Sequence, residues 1–244
     1  EISKFKPEVI FICLPTPMND DSSQDISIIK EVMEEILLLD INSLVVLKST
    51  ILPDNIQELS ILNDEFIYNP EFLREKHAKD DFINSSLIIF GGEEDKCNDL
   101  GNFYSNYTKC LSKEYFFTDK ITASLIKYSI NSFLSTKVSF FNELHDLFIE
   151  SGSKDTWKNF IKMISVDKRI GDSHMEVPGH DGRFGFGGAC LPKDSKAFSI
   201  YSGKLKADLN VLKTAINTNN KIRAKYNEKT EREIEQNINF GGDD

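Results

Sequence analysis

From Val9 to Phe117, short apolar runs alternate with longer helical stretches, and this alternation restricts the chain more than any other feature. Val9-Ile10-Phe11-Ile12-Cys13 is stopped by Pro15 and Pro17 and reads as a buried strand. Leu44-Val45-Val46-Leu47-Lys48, Phe66-Ile67-Tyr68, Leu87-Ile88-Ile89-Phe90 (closed by Gly91-Gly92) and Tyr115-Phe116-Phe117 read as further strands. Between them, residues 25–40 have helical spacing with Asp25 placed as N-cap, Pro53 and Asp54 open a short helix, and residues 94–110 form another. Strand and helix in turn predict an α/β layer, a doubly wound parallel sheet.

After Thr118 the pattern changes. Residues 120–150 contain no Gly or Pro, and Leu134, Val138, Phe141, Leu144 and Phe148 recur at three- and four-residue steps. That predicts one long amphipathic helix, roughly 45 Å at about 1.5 Å per residue. Gly152 ends it, and Ser153 is placed to cap a helix carrying Trp157. Residues 171–193 are rich in Gly and Pro and form the one long loop; Asp194 to about Gln236 reads as helices broken near Gly203. The polar tail Asn237–Asp244 is expected to fray. Two domains follow, 1–118 and 119–240.

Twenty-nine basic against 39 acidic residues give a formal charge of −10, which excludes a general nucleic-acid binder because phosphate neutralisation needs a basic surface. Cys13, Cys97, Cys110 and Cys190 are widely spaced, which argues against a zinc cluster or a disulfide framework. His77, His145, His174 and His180 lack metal-ligand spacing, so no metal is expected. No apolar run reaches membrane-span length and no signal peptide is visible, so a cytoplasmic protein is expected, with no membrane partner. The chain starts at Glu1 with a strand-like run almost at once, and is expected to be cut at its N-terminus.

Gly185-Phe186-Gly187-Gly188-Ala189-Cys190-Leu191-Pro192-Lys193-Asp194 carries the most chemistry. Glycines let backbone approach a ligand closely, and a nearby cation favours the nucleophilic thiolate. The competing reading is a glycine turn with an inert small cysteine. Lys127 and Asn131, four apart on the long helix, could polarise an oxyanion or hold a water, or could be a solvated face. Asn69-Pro70-Glu71-Phe72-Leu73-Arg74-Glu75 follows a strand, where open α/β sheets bind ligands; Glu71 and Glu75 are contacts there or merely the charged first turn of a helix. Thr16 and Thr50 also follow strands, as cofactor contacts or as caps. No G-x-G-x-x-G is present, and Gly185-Phe186-Gly187-Gly188 does not follow a strand as that fingerprint requires.

In order, VIFICLPTP, VVLKST, YNPEFLRE, LIKYSINSFLSTKVSFFNEL, DKRIG and GFGGACLPKD resemble the UDP-glucose/GDP-mannose dehydrogenase family, most closely its UDP-glucose 6-dehydrogenases, from about Pro7 to Asn219. The resemblance implies a partial Rossmann-like NAD-binding domain, a long connecting helix and an all-α central dimerisation domain. The family's N-terminal G-x-G-x-x-G segment and its C-terminal nucleotide-binding domain are absent from these residues. It implies NAD as cofactor, a nucleotide sugar (UDP-glucose first) as substrate, and a homodimer through the long helix. Cys190 then resembles the nucleophile that holds the sugar C6 as thiohemiacetal and thioester, and Lys127 the lysine that stabilises the oxyanion. Asn131 and Asp194 look like the pair that positions and activates water, and Glu71 like the glutamate that assists hydrolysis. Thr16, Thr50 and Glu75 fall where the family contacts NAD. Phe72, Leu73, Lys193 and Phe186-Gly187-Gly188 fall where it holds the nucleotide sugar. Arg169 resembles an arginine that reaches the sugar from a neighbouring subunit. The alternatives are a GDP-mannose or UDP-N-acetylhexosamine dehydrogenase, a β-hydroxyacid dehydrogenase (against which Cys190 with Lys193 and Asp194 counts), and an inactive dimerising fragment.

Overall fold

The computed structural model describes residues 2–39, 41–112 and 114–241, without the side chains of Ile2, Ser3 and Glu75. The chain forms two compact units: residues 1–16 with 24–128, and residues 17–23 with 129–244.

In the first unit, the short α1 (Ile2–Phe5) precedes β1 (Val9–Ile12), followed by α2 (Ser27–Leu38), β2 (Leu44–Leu47), α3 (Pro53–Leu62) and β3 (Phe66–Tyr68). A 3-10 turn (Glu75–His77), α4 (Ala78–Ile83), β4 (Ile89–Gly91), α5 (Glu94–Tyr107) and β5 (Phe116–Thr118) complete it up to the long helix. The strands stand in sequence order, β1-β2-β3-β4-β5. β1 pairs with β2 and β2 with β3 in parallel, Val9 opposite Leu44 and Val45 opposite Phe66. The α/β class and the Rossmann-like layer are as expected, with one difference: β3 and β4 run antiparallel, Tyr68 opposite Gly91, so the sheet is mixed. A strand buried on both faces shows the same apolar run whichever way it points, so the sequence carries no sign of the reversal.

Both faces of this sheet are covered, and alternate strand residues divide between them. Val45, Leu47, Phe66, Tyr68 and Ile89 pack with Ile29, Met33 and Ile36 of α2 and Ile56 and Leu59 of α3. Val46, Ile67, Ile88 and Phe90 pack on the other side with Cys97, Leu100 and Tyr104 of α5. Burying each of the larger apolar side chains stabilises the fold by about 1.5–3 kcal/mol. α2 starts at Ser27 behind Ile26, not at Asp25; the Asp25 carboxylate instead accepts the Ser27 N–H at 2.9 Å.

α6 (Lys120–Glu150) is the predicted long helix; its residues to Tyr128 belong to the first unit and those from Ser129 to the second. α7 (Trp157–Ile164), α8 (Cys190–Lys204), α9 (Asn210–Arg223) and α10 (Glu231–Glu235) make up the second unit with the loop before α8. Its apolar core joins Phe141 and the half-buried Leu144 of α6 to Trp157, Ile161 and Ile164 of α7 and to Met175 and Val177 of the loop. The buried face of α6 is more polar than its apolar stripe suggested, since Ser135, Ser139 and Asn142 are buried too. Ser139 donates to Ala215 O at 2.9 Å, which satisfies the hydroxyl and ties α6 to α9. α7 is capped by Thr156, which accepts the Asn159 N–H, rather than by Ser153. The tail does not fray through Gly241: Ile238 and Phe240 are buried, and the Asn237 amide donates to Met18 O at 3.2 Å and Asp20 Oδ1 at 3.3 Å. Asn237 thus anchors a segment that composition alone marks as polar.

Candidate active site

Two polar clusters hold the predicted residues, one in each unit. In the first, the chain leaves β3 at Asn69, whose N–H still donates to Leu47 O at 2.8 Å. The Asn69 amide donates to Ile89 O at 2.9 Å, while its Oδ1 accepts from Lys48 Nζ at 2.9 Å and from the Tyr104 hydroxyl at 2.6 Å. Asn69 is therefore fixed on every side, and with it the start of the segment that follows. Burial pulls the Lys48 ammonium below its ordinary range, with Cys13 and Glu71 opposing and the nearby Lys127 charge adding to the shift.

Lys127 is only 4% exposed, so the solvated-face reading of this lysine does not hold. Its Nζ donates to Glu71 O at 2.6 Å, lies 3.7 Å from Glu71 Oε1, and sits 5.4 Å from the centroid of the Phe72 ring. A buried ammonium needs such acceptors, because an unpaired charge away from water is costly. The Glu71 carboxylate also accepts the Leu73 N–H at 2.7 Å, which curls Glu71-Phe72-Leu73 into a tight turn instead of a helix. Arg74 clasps Asp81 through its backbone N–H and its guanidinium, and holds that carboxyl down at about 2. Glu75 opens the 3-10 turn, and its side chain lies outside the described residues.

The loops after β1 and β2 meet beside this cluster. Thr16 donates to Thr50 O at 3.1 Å, and Ser49 accepts the Leu14 N–H at 2.9 Å. These loops lie at the carboxyl ends of parallel strands, where open α/β sheets take dinucleotides. Their donors are hydroxyl and amide groups with a lysine nearby, a set that suits ribose, carboxamide and phosphate. The residues present fit NAD.

In the second unit, Cys190 is exposed and is the first residue of α8, a fifteen-residue helix. The partial positive charge of a helix N-terminus favours an anion there, here a thiolate. Asp194, four residues on and 1% exposed, is bonded twice: Asn131 Nδ2 donates to Oδ2 at 2.6 Å, and Lys193 Nζ to Oδ1 at 2.8 Å. Asn131 is buried as well, so neither helix residue singled out in α6 belongs to a solvated face. Lys193, expected at the nucleotide sugar, is buried and paired with Asp194. Arg169 is exposed and its guanidinium is held by Asp167 of its own turn.

Phe186, Gly187 and Gly188 form the turn before Cys190. The close approach permitted by Gly187 serves the protein itself: a side chain there would run into the Arg223 guanidinium and the Glu233 carboxylate. Gly188, at φ +79°, has open space around it. Sequence reasoning missed the residues that grip this turn. Asn142 accepts the Gly185 N–H at 2.9 Å, Asn219 the Phe186 N–H at 2.6 Å and Tyr226 the Phe184 N–H at 2.9 Å. They stand 33 to 43 residues from their partners, beyond the reach of any local pattern. Lys48 was within reach: a lysine ending an apolar strand is out of place unless something receives its charge.

No helix of the described residues is long and apolar enough to cross a membrane, and no group of three or more His, Cys, Asp or Glu among them could hold a metal ion.

Residues 2–108 match the UDP-glucose/GDP-mannose dehydrogenase family, NAD binding domain, and residues 121–221 match the central domain of the same family. UDP-glucose 6-dehydrogenase of Rickettsia bellii is 34% identical over 220 residues, covering 87% of this chain and 49% of that protein. The Bacillus subtilis UDP-glucose 6-dehydrogenase is 29% identical over 231 residues, covering 89% of this chain and 49% of its own length. The chain thus spans about half the length of these curated relatives. Among solved structures, a UDP-glucose dehydrogenase from Pyrobaculum islandicum superposes with a TM-score of 0.73 at 29% identity, covering 87% of this chain and 50% of that one. A 3-hydroxyisobutyrate dehydrogenase of Mycobacterium tuberculosis, at 16% identity and TM-score 0.64, shares the fold alone. Two domains of one family are matched in order along most of the sequence, and the chain belongs to the UDP-glucose/GDP-mannose dehydrogenase family.

Proposed function

We propose that this chain is the catalytic portion of an NAD-dependent nucleotide-sugar 6-dehydrogenase, with UDP-glucose oxidised to UDP-glucuronate through a covalent bond to Cys190. The observation that carries the reading is the second cluster: an exposed thiol at a helix N-terminus, with a buried, doubly bonded carboxylate one turn behind it. An inert structural cysteine would be buried and would need no such partner.

Oxidation of CH2OH to carboxylate removes two hydrides and adds one water. The chemistry NAD supplies when bound is acceptance of hydride, once at each stage; Thr16 and Thr50, with Glu75, are the residues assigned to hold it. The Cys190 sulfur adds to the aldehyde carbon left by the first stage, forming a C–S bond, and the carbonyl oxygen takes a proton to give a thiohemiacetal. This keeps the aldehyde from escaping. Oxidation of the thiohemiacetal leaves a thioester. Water then breaks the C–S bond, the carbonyl carbon becomes a carboxylate, and the thiol is restored. Lys127 stabilises the oxyanion that forms at the sugar C6 oxygen. Asn131 and Asp194 position the water, the Asp194 carboxylate receives its proton, and Glu71 assists the hydrolysis. Phe72, Leu73, Lys193 and the Phe186-Gly187-Gly188 turn are assigned to the nucleotide sugar.

Phe133, Phe140 and Leu147 are exposed along α6 at seven-residue steps, an apolar stripe separate from the one that builds the core. We assign this stripe to a homodimer, with Arg169 reaching the sugar of the partner subunit. A monomer in light scattering at micromolar concentration would rule the dimer out.

The reaction is tested on the full-length protein by stoichiometry: two NADH per UDP-glucose, with no free aldehyde, are expected. One NADH with trappable aldehyde would make it a simple alcohol dehydrogenase. Faster turnover of GDP-mannose or a UDP-N-acetylhexosamine would move the substrate assignment and leave the mechanism standing.

A further inference from the structure

We propose that Arg223 and Glu233 are positioning residues for Cys190: their buried ion pair fills the space beside Gly187 and takes the Gly188 N–H, setting the turn from which the cysteine opens α8. Both lie beyond residue 221, where the match to the family's central-domain model ends.

The geometry is specific. Arg223 is 2% and Glu233 1% exposed, and Arg223 Nη2 donates to Glu233 Oε1 at 2.6 Å. Arg223 Nη1 donates to Asp181 Oδ2 at 2.7 Å, so the guanidinium is neutralised from two sides. Its Cζ lies 5.7 Å from the Tyr226 ring centroid and 5.4 Å from that of Phe240, which encloses it in apolar surface. Glu233 Oε1 accepts the Gly188 N–H at 3.3 Å as well, and Oε2 accepts the Thr230 N–H at 2.8 Å. Thr230 returns the bond to the Glu233 N–H, completing a capping box that fixes the carboxylate on α10.

A buried ion pair is weak evidence for stability, since two desolvated charges gain little over well-packed apolar residues. It does hold geometry, because removing either charge takes from the other a short, buried, charge-assisted bond. Here the held element is backbone. Gly187 cannot move toward Arg223, and Gly188 is bonded to Glu233, two residues before the thiol. The thiol depends on alignment with the first turn of α8 for its anionic form, so a loosened turn weakens the nucleophile without touching it.

The inference rests on Cys190 as the reacting group. Its test uses alkylation, which needs neither NAD nor sugar, so it can fail while the proposed reaction survives, and the reverse. The full chain is labelled with iodoacetamide across pH 6–10 (roughly the range in which thiols ionise), and Cys190 and Cys13 are followed separately by peptide mass spectrometry. Glu233→Ala should slow Cys190 alkylation at pH 7 at least tenfold and move its pH midpoint upward, with Cys13 unchanged and the helical circular dichroism intact. Glu233→Gln, which keeps an acceptor of the same length, should restore the rate to within threefold of the parent. A Cys190 rate within twofold of the parent in Glu233→Ala overturns the proposal, and so does an equal change at Cys13. Should Glu233→Ala not fold, Thr230→Ala removes one arm of the capping box; a threefold slowing at Cys190 supports the role and an unchanged rate defeats it.

Discussion

The two clusters solve the same problem by opposite means. In the α/β unit a buried cation, Lys127, is satisfied chiefly by a backbone carbonyl on a turn that Asn69 anchors to three strands. In the helical unit a buried anion, Asp194, is satisfied by two side chains, Asn131 and Lys193. A site built on backbone depends on a sheet that many residues hold. One built on paired side chains depends on each partner, so single substitutions should be felt more sharply in the helical unit.

The largest effect that would sharpen this contrast is loss of Cys190. Cys190→Ser in the full-length protein should lower acid formation by roughly four orders of magnitude or more, with sugar binding kept, since removing a covalent nucleophile takes away the pathway itself. Steady-state NADH formation and equilibrium binding measure the two halves of that statement. Next comes Asp194→Ala, which removes an acceptor from both the buried Lys193 ammonium and the Asn131 amide and should destabilise the helical unit by about 3–5 kcal/mol. Chemical denaturation read by Trp157, the single tryptophan, reports on that unit alone. Lys127→Ala should lower kcat by about 10²–10³, as loss of one oxyanion donor does, while the same Trp157 curve stays in place. Equal destabilisation by both substitutions would erase the comparison.

Acid should weaken the helical unit. Burial raises the carboxyls of Asp181 and Glu233, but for Asp181 Arg223 and the Arg183 N–H outweigh it, and for Glu233 the Thr230 N–H and Arg223 do, so both end below their ordinary values. Depressed carboxyls contribute stability that is present above the ordinary range near pH 4, and it is lost as pH falls through the depressed values. Trp157 fluorescence should therefore show a weakening below about pH 4 that Glu233→Gln reduces. The smallest expected effect is Thr156→Ala, which removes the α7 cap and should cost about 1 kcal/mol in the same denaturation curve.

What the sequence disclosed differs between the units for a physical reason. Strands such as Leu44–Leu47 are marked by local apolar runs, and α6 by thirty-one residues without Gly or Pro, so their positions were legible to within a residue or two. The antiparallel turn of β4 was not, because burial pattern carries no direction. Nor were the caps: Asp25 and Ser153 are each plausible, and a shift of one or two residues moves the helix start to Ser27 or the cap to Thr156. Cys190 and Asp194 stood out because unusual residues crowd into ten positions. Arg223 and Glu233 gave no local sign, since their meaning lies in a glycine 36 and 46 residues earlier.

The segment 17–23 counts with the helical unit although it follows β1 directly, so the chain passes between units at residues 16–17, 23–24 and 128–129. No single scission can release either unit whole. A gene cut at the start of α6 would express a helical piece lacking Met18 and Asp20, which receive the Asn237 amide, and Met18 N, which donates to Gln236 O. Anyone excising the helical unit for separate crystallisation should graft residues 17–23 back, or expect its C-terminal segment to come loose from the turn that carries Cys190.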